Sequence, residues 1–318
     1  MLKFLRDEKG NLLVVAVVLL FSILGFASMA IDMGCLLTAK NQLQSAVDAS
    51  ALSGASGLLI SQSEAVLRSA AIGGMNTCLN QPVVLGSENV DFPTTSQVRV
   101  RVEQPVPLYF AKIMGIHSVR VAASAVAEIG TIVGTNGMRP WAIPDMKWTH
   151  GTSVMLKSGA LGAPATNPSF FYAVDFPPLN NGDPVPGAKT YEGNIINGSS
   201  CTVSIGDELL VEPGNMVGPT NHGVDVLLNM DPYADWDGTQ VVKSLYPGTS
   251  SPRIVKIPLY DPNYPPDSGK NSLTVVGLAS FFVTGVHHGT VKGIFMEKIT
   301  SGRIGSGNSM LKGVRLVL

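Results

Sequence analysis

The hydrophobic pattern of this chain is dominated by one uninterrupted apolar stretch, Leu12 to Ile31, set directly behind a short charged leader, Met1–Lys9. The stretch reads LLVVAVVLLFSILGFASMAI, twenty residues with Ser22 and Ser28 as its only polar side chains. As a helix rising about 1.5 Å per residue it matches the roughly 30 Å hydrocarbon core of a bilayer. The helical pattern does not stop there. No proline occurs between Asp32 and Ala55, and Leu36, Leu43, Ala46, Val47 and Ser50 recur at helical spacings, forming one stripe. Lys40, Asn41, Gln44, Ser45 and Asp48 fall largely on the other side, and Gly54 and Gly57 mark the end. A second helix is predicted from Ser61, with Glu64 three residues on as a capping box, through Ala65, Leu67 and Ile72 to Gly73.

Further on the period changes from helix to strand. Gln97–Glu103 alternates strictly, placing Val98, Val100 and Val102 on one face. Pro107–Gly115 reads as a short helix with Pro at its start and Gly at its end. Alternation resumes over Ser118–Ala127, with Val119, Val121, Ala123, Ala125 and Ala127 on one face. Beyond Gly130 the texture is different, since 17 of the 21 prolines follow residue 139. Short apolar runs, among them Phe170–Phe176, Val224–Asn229 and Ser272–Val283, alternate with Gly, Pro and Asn turns, the pattern of a β-rich domain. Leu273–Val283 is its expected central strand, His287-His288-Gly289 a hairpin turn, and Met310–Leu318 a last strand.

Charge sets orientation and removes some functions. Lys3, Arg6 and Lys9 precede the span, which favours a cytoplasmic N-terminus with the body outside the cytoplasm. A cleaved secretory signal is the alternative: its apolar core is usually about 7–15 residues, shorter than this one, but Ser28-Met29-Ala30 offers a small-x-small cleavage pattern ending at Ala30. The net charge is −1, with no basic cluster outside the leader, which argues against a nucleic-acid partner. Only 14% of residues are charged, while 34 glycines and 21 prolines favour loops and strands over a helical bundle.

The candidate chemistry is sparse. Asp32, at the outer edge of the span, either pairs with a neighbouring subunit in an assembly or is a solvated interfacial residue. Cys78 and Cys201 either form one disulfide outside the cytoplasm or remain free thiols along with Cys35. Asp231, Asp235 and Asp237 place three carboxylates within seven residues of a turn and are the best metal candidate, for Ca²⁺, although the EF-hand spacing fails at Tyr233 and Ser244. His222, His287 and His288 with Asp225 lack any Gly-x-Ser-x-Gly or His-Glu-x-x-His companion, so neither an enzyme nor a cofactor is expected. Trp141, Trp148 and Trp236 are read mainly as core residues.

Several of these segments together resemble a known family. Asp7-Glu8-Lys9-Gly10-Asn11, the apolar span, Ala30-Ile31-Asp32-Met33-Gly34 and Ala46-Val47-Asp48-Ala49-Ser50-Ala51-Leu52-Ser53-Gly54-Ala55 look like the N-terminal signature of the Tad (tight adherence) TadE/TadG-like pilus-assembly proteins. Tyr109–Ile116 followed by Ala122–Ala127 resembles the close of that group's first domain; the remainder is similar only loosely, through Arg139-Pro140-Trp141, the turn 212–216 and Phe281-Phe282. The resemblance implies an envelope-anchored role in assembling, tipping or supporting a type IV-like pilus, with the bilayer, other Tad components or further copies of the chain as partners. Pilins cut by a prepilin peptidase usually carry Glu five residues after the cleavage Gly. Here that Gly would be Gly10 and the fifth residue is Val15, which favours a retained anchor or accessory component.

The expected fold is α+β: a cytoplasmic leader (1–10), a transmembrane helix (11–31), its extracytoplasmic continuation with a small pilin-like α+β neck (32–130), and a β-rich distal domain (131–318). The expected function is pilus assembly or surface adhesion through helix packing between subunits, with Asp32, Leu36, Leu43, Val47 and Asp48 as the assembly helix. A surface module binding glycan or Ca²⁺ is the alternative.

Overall fold

The structure is a computed structural model and describes residues 8–158, 170–214, 216–266 and 271–317; most of the charged leader and Asn215 of the turn 212–216 lie outside them. Two compact units emerge, one of residues 1–129 with 314–318 and one of residues 130–313.

In the first unit, α1 runs unbroken from Glu8 to Gly57. Without proline, every amide past the first turn can reach the carbonyl four residues back. The Ser22 and Ser28 hydroxyls donate in the same way, to the carbonyls of Val18 (2.8 Å) and Leu24 (2.6 Å). Helix α2 spans Gln62–Gly74 and is capped by Ser61, whose Oγ accepts from the Glu64 amide at 3.0 Å. The expected capping box is only half made, because the Glu64 carboxylate accepts from Arg68 Nε at 2.8 Å. Strands β1 (Gln97–Pro107) and β2 (Ser118–Thr135) pair antiparallel in a register from Gln97↔Glu128 to Pro107↔Ser118. The alternation determines their inner face: Val98, Val100, Val102, Ala123, Ala125 and Ala127 are buried in one core with the distal half of α1.

The small residues at the end of α1 have a packing cause. A methyl group built on Gly57 would lie 2.7 Å from the Ala65 Cα and backbone nitrogen, and one on Gly54 2.2 Å from Ser69 Oγ. Backbone is thus in contact with backbone where α2 meets the end of α1, and the buried Ser69 hydroxyl donates to the Ser50 carbonyl at 3.1 Å.

The second unit is built on a closed barrel of six strands: β3 (Trp141–Pro144), β4 (Ser153–Ser158), β5 (Phe170–Ala173), β6 (Ile254–Tyr260), β7 (Ser272–His287) and β8 (Thr290–Met296). Around it the order is β7-β6-β3-β5-β4-β8 and back to β7, with β6–β3 and β5–β4 parallel and the other pairs antiparallel. Successive residues enter different cores: Phe171 and Ala173 join one cluster, Tyr172 and Val174 another. Burial on both faces explains why these segments are apolar throughout rather than alternating. Strand β7 is central as expected, and the β7–β8 turn carries positive φ at His288 (48°) and Gly289 (73°).

Two helices correct the expectation of strands alone. Segment Val224–Asn229 is not a strand; it lies in α4 (Val217–Met230), which buries Thr220, Gly223, Val224 and Leu227 at helical spacing. Pro219 is tolerated because it stands in the first turn, where amides have no partner within the helix. Helix α3 (Ala188–Asn197) buries Tyr191 and Ile195, and the Tyr191 hydroxyl accepts from Trp141 Nε1 at 3.0 Å.

Candidate functional site

The feature that separates this chain from an ordinary α+β protein is α1, whose two halves have opposite surroundings. No side chain from Leu13 to Ile31 is buried, and Phe21 and Phe26 are 72% and 76% exposed. Among the described residues this is the one helix long and apolar enough to cross a membrane. At Asp32 the surroundings change abruptly, for this carboxylate is buried.

Asp32 Oδ1 accepts from the Tyr109 amide at 2.7 Å and Oδ2 from the Ala111 amide at 2.7 Å; the Phe110 amide lies 3.3 Å from Oδ1 and 3.1 Å from Oδ2. These amides open the single-turn 3₁₀ helix Ala111–Met114, which ends at Gly115 with φ 86°. A carboxylate on α1 therefore caps a helix turn at the tip of the β1–β2 hairpin. Towards the other end Lys40 Nζ donates to the Ala122 carbonyl at 2.6 Å and Gln44 Nε2 to that of Ser124 at 3.0 Å. The hairpin thus lies along α1 with its tip towards the exposed half of the helix.

The predicted assembly residues are largely used within the chain itself. Leu43 and Val47 are fully buried in the neck core and Leu36 packs partly against it, so this stripe is not a free surface for a second subunit. Asp32 is likewise engaged by its own chain rather than open to a neighbour. Asp48 is half-buried and accepts from Gln44 Nε2 at 2.8 Å. Gly10 and Ala30, the two processing candidates, both lie inside α1.

The metal candidate does not assemble. Asp231 is buried and satisfied, accepting from Ser244 Oγ (2.6 Å), Ser251 Oγ (2.5 Å) and the Leu245 amide (2.9 Å). Asp235 and Asp237 are exposed, and Asp237 closes a turn by accepting from the Thr239 and Gln240 amides. Among the described residues no three His, Cys, Asp or Glu side chains form a metal-binding group. The three cysteines are free thiols. Cys78 is a buried free thiol in the first unit, 3.8 Å from the Ala39 carbonyl, and Cys201 is a free thiol in the second. His222 Nδ1 meets Glu192 Oε1 at 2.8 Å, while His287 and His288 contact each other ring to ring. Trp141 is buried and Trp148 stacks on Phe295 at 4.5 Å between centroids.

The second unit also holds buried charge that the pattern reading missed. Asp175 and Glu212 are both buried, on segments joined by the bridge Val174↔Val211. Burial, and then the Glu212 carboxyl beside it, push the Asp175 carboxyl up to about 8. A carboxylate inside the apolar run 170–176 was the available signal. Arg139, Lys256 and Lys298 lie close enough to repel one another, and among the described residues none has a carboxylate within 4.0 Å. Burial, with the neighbouring Lys256 and Arg139 charges, lowers the Lys298 ammonium to about 8.

Among the described residues, one helix near the N-terminus is long and apolar enough to cross a membrane, and a small α+β unit packs against its distal half. Residues 10–57, which make up nearly all of α1, match the Tad family, Flp pilus-assembly TadE/G-like. No curated protein and no solved structure matches the chain.

Proposed function

We propose that this chain is a single-pass, membrane-anchored component of a Tad/Flp-type pilus system, acting in pilus assembly or surface adhesion in a structural rather than catalytic role. The observation that carries this reading is the coincidence of the family match, 10–57, with a helix that is bare over one span's length and then packed into a neck. Lys3, Arg6 and Lys9 support an N-terminus in the cytoplasm, with both units on the far side of the cytoplasmic membrane. With Leu43 and Val47 buried, association with other pilus components falls to the exposed half of α1 and to the outer surfaces of the two units.

The test is made in the native host. The full chain should sediment with the cytoplasmic membrane, resist carbonate extraction, lose its body to protease added outside, and co-purify with Tad components. Cells lacking it should be defective in piliation or attachment. A carbonate-soluble chain, or unchanged piliation and attachment with no co-purifying pilus component, would overturn the proposal.

A further inference from the structure

The tip of the β1–β2 hairpin has the wrong surface for a loop in water. Loop tips are normally polar, but between Leu108 and Ile116 the only charged residue is Lys112. Ile113 and Met114 are 88% and 83% exposed, and Tyr109, Phe110 and Ile116 are exposed beside them. A contiguous apolar patch of this kind marks a contact surface. Its position identifies the contact. The Asp32 carboxylate fixes the amides of Tyr109, Phe110 and Ala111 to α1 at the residue directly after the apolar run Leu12–Ile31. From Gly54, whose built methyl lies 3.1 Å from Val98, to Asp32 the helix advances about 33 Å. The strand from Val98 to Tyr109 advances roughly the same distance. Hairpin and helix therefore reach the end of the span together.

We infer that the tip Tyr109–Ile116 is a second membrane-contacting element, dipping into the outer-leaflet interface beside the helix, with lipid as its occupant. The inference rests on the reading of α1 as a membrane span. The chemistry suits that depth. Tyr109 is an aromatic residue of the kind that collects at membrane–water interfaces. Lys112 Nζ, 6.0 Å from the Tyr109 ring centroid, can reach lipid phosphate while its stem stays among apolar groups. Satisfying the Tyr109, Phe110 and Ala111 amides with a buried carboxylate also removes the donors that would otherwise resist leaving water. The tip and the helix then fix the first unit at two points, which limits its tilt and rotation on the bilayer.

The test uses the full chain reconstituted in phosphatidylcholine–phosphatidylglycerol vesicles carrying lipids brominated either high in the acyl chain or near its end. Ile113→Trp, with Met114→Trp as a second probe, adds an indole at the tip, and the wild-type chain supplies the background from Trp141, Trp148 and Trp236. The added emission should be blue-shifted and mostly lost, more with the shallow bromines than with the deep ones. Leu20→Trp reports the span and should be quenched most by the deep bromines; Ile60→Trp, beyond the far end of α1, should not be quenched. Water-like, unquenched emission from both tip probes with Leu20→Trp quenched overturns the inference and leaves the tip to a protein partner. Unquenched emission from Leu20→Trp overturns the spanning reading itself.

Discussion

Gly57→Ala tests the packing that joins the two helices of the first unit. The new methyl would stand 2.7 Å from Ala65 Cα, 2.7 Å from its backbone nitrogen and 3.0 Å from the Glu64 carbonyl carbon. Ordinary contact begins near 3.4 Å, and all three neighbours are backbone, so no side chain can rotate away. Helix α2 must retreat by roughly 0.7 Å or more along this edge, loosening the buried Ala65 and the Ser69–Ser50 hydrogen bond. Overpacking costs about 1–3 kcal/mol, and replacing a helical Gly by Ala returns at most about 1 kcal/mol, less at a helix end. The net expectation is a destabilisation of about 1–2 kcal/mol. Gly74→Ala is the control: the position is exposed, helical and free of neighbours within 4 Å, so the substitution should stabilise by about 0.4–1 kcal/mol. Hydrogen exchange of the α2 amides in the detergent-solubilised chain measures both opening free energies. Protection that rises in both variants, or by the same amount in each, would refute the close approach as the reason for glycine at 57.

Other substitutions probe the rest. Asp32→Ala removes the acceptor for three amides and should cost about 1–3 kcal/mol, with faster exchange confined first to Tyr109–Ala111; Asp32→Asn should recover part of that protection. Leu43→Lys buries an unpaired charge in the neck and should unfold the first unit, seen as loss of hydrogen-exchange protection across α2 and β1, whether or not any partner is present. Asp175 gives a pH dependence. Its folded-state value of about 8 lies above that of an unfolded Asp, so the folded chain holds the extra proton, and the stabilisation is complete below about pH 4 and lost as pH rises towards 8. Thermal unfolding of the second unit should fall over that window by at most about 1.4 kcal/mol per pH unit, and Asp175→Asn should flatten the slope. Lys298, lowered to about 8, acts above that window and with the opposite sign, so it does not cancel the effect.

Local features of the fold were legible because their causes are local. The period of α1, the Ser61 cap, the valine alternation of β1 and the His288-Gly289 turn each follow from neighbours within a few residues. Helix α4 was missed although its buried face repeats at helical spacing, because Gly218, Pro219 and Gly223 mask a short apolar stretch that reads equally well as a strand. The roles of the candidate residues were less legible, since they depend on distant partners. Asp32 finds its partners 77 to 79 residues away, and nothing near it in sequence distinguishes a cap from a solvated carboxylate. An apolar stripe such as Leu43–Val47 looks the same whether its own hairpin or another subunit covers it. Three neighbouring aspartates reveal their number but not that Asp231 turns inward to Ser244 and Ser251.

The Asp32 clamp bears directly on how the N-terminus is processed. Cleavage after Ala30 would leave Ile31 as the first residue and Asp32 as the second, on the fraying end of a shortened helix. The carboxylate would then lose the helical support that holds it against three amides, and the apolar tip would lose its fixed place beside the span. Cleavage after Gly10 would leave the whole of Asn11–Gly57, and with it the clamp, intact. The geometry therefore favours any chain that keeps its span. Sequencing the N-terminus of protein recovered from its native membrane should return a residue ahead of the span, at or before Asn11, and not Ile31. A chain beginning at Ile31, with Tyr109–Ala111 as strongly protected from exchange as in the uncut protein, would show that the clamp needs no helix before it and would refute this reasoning.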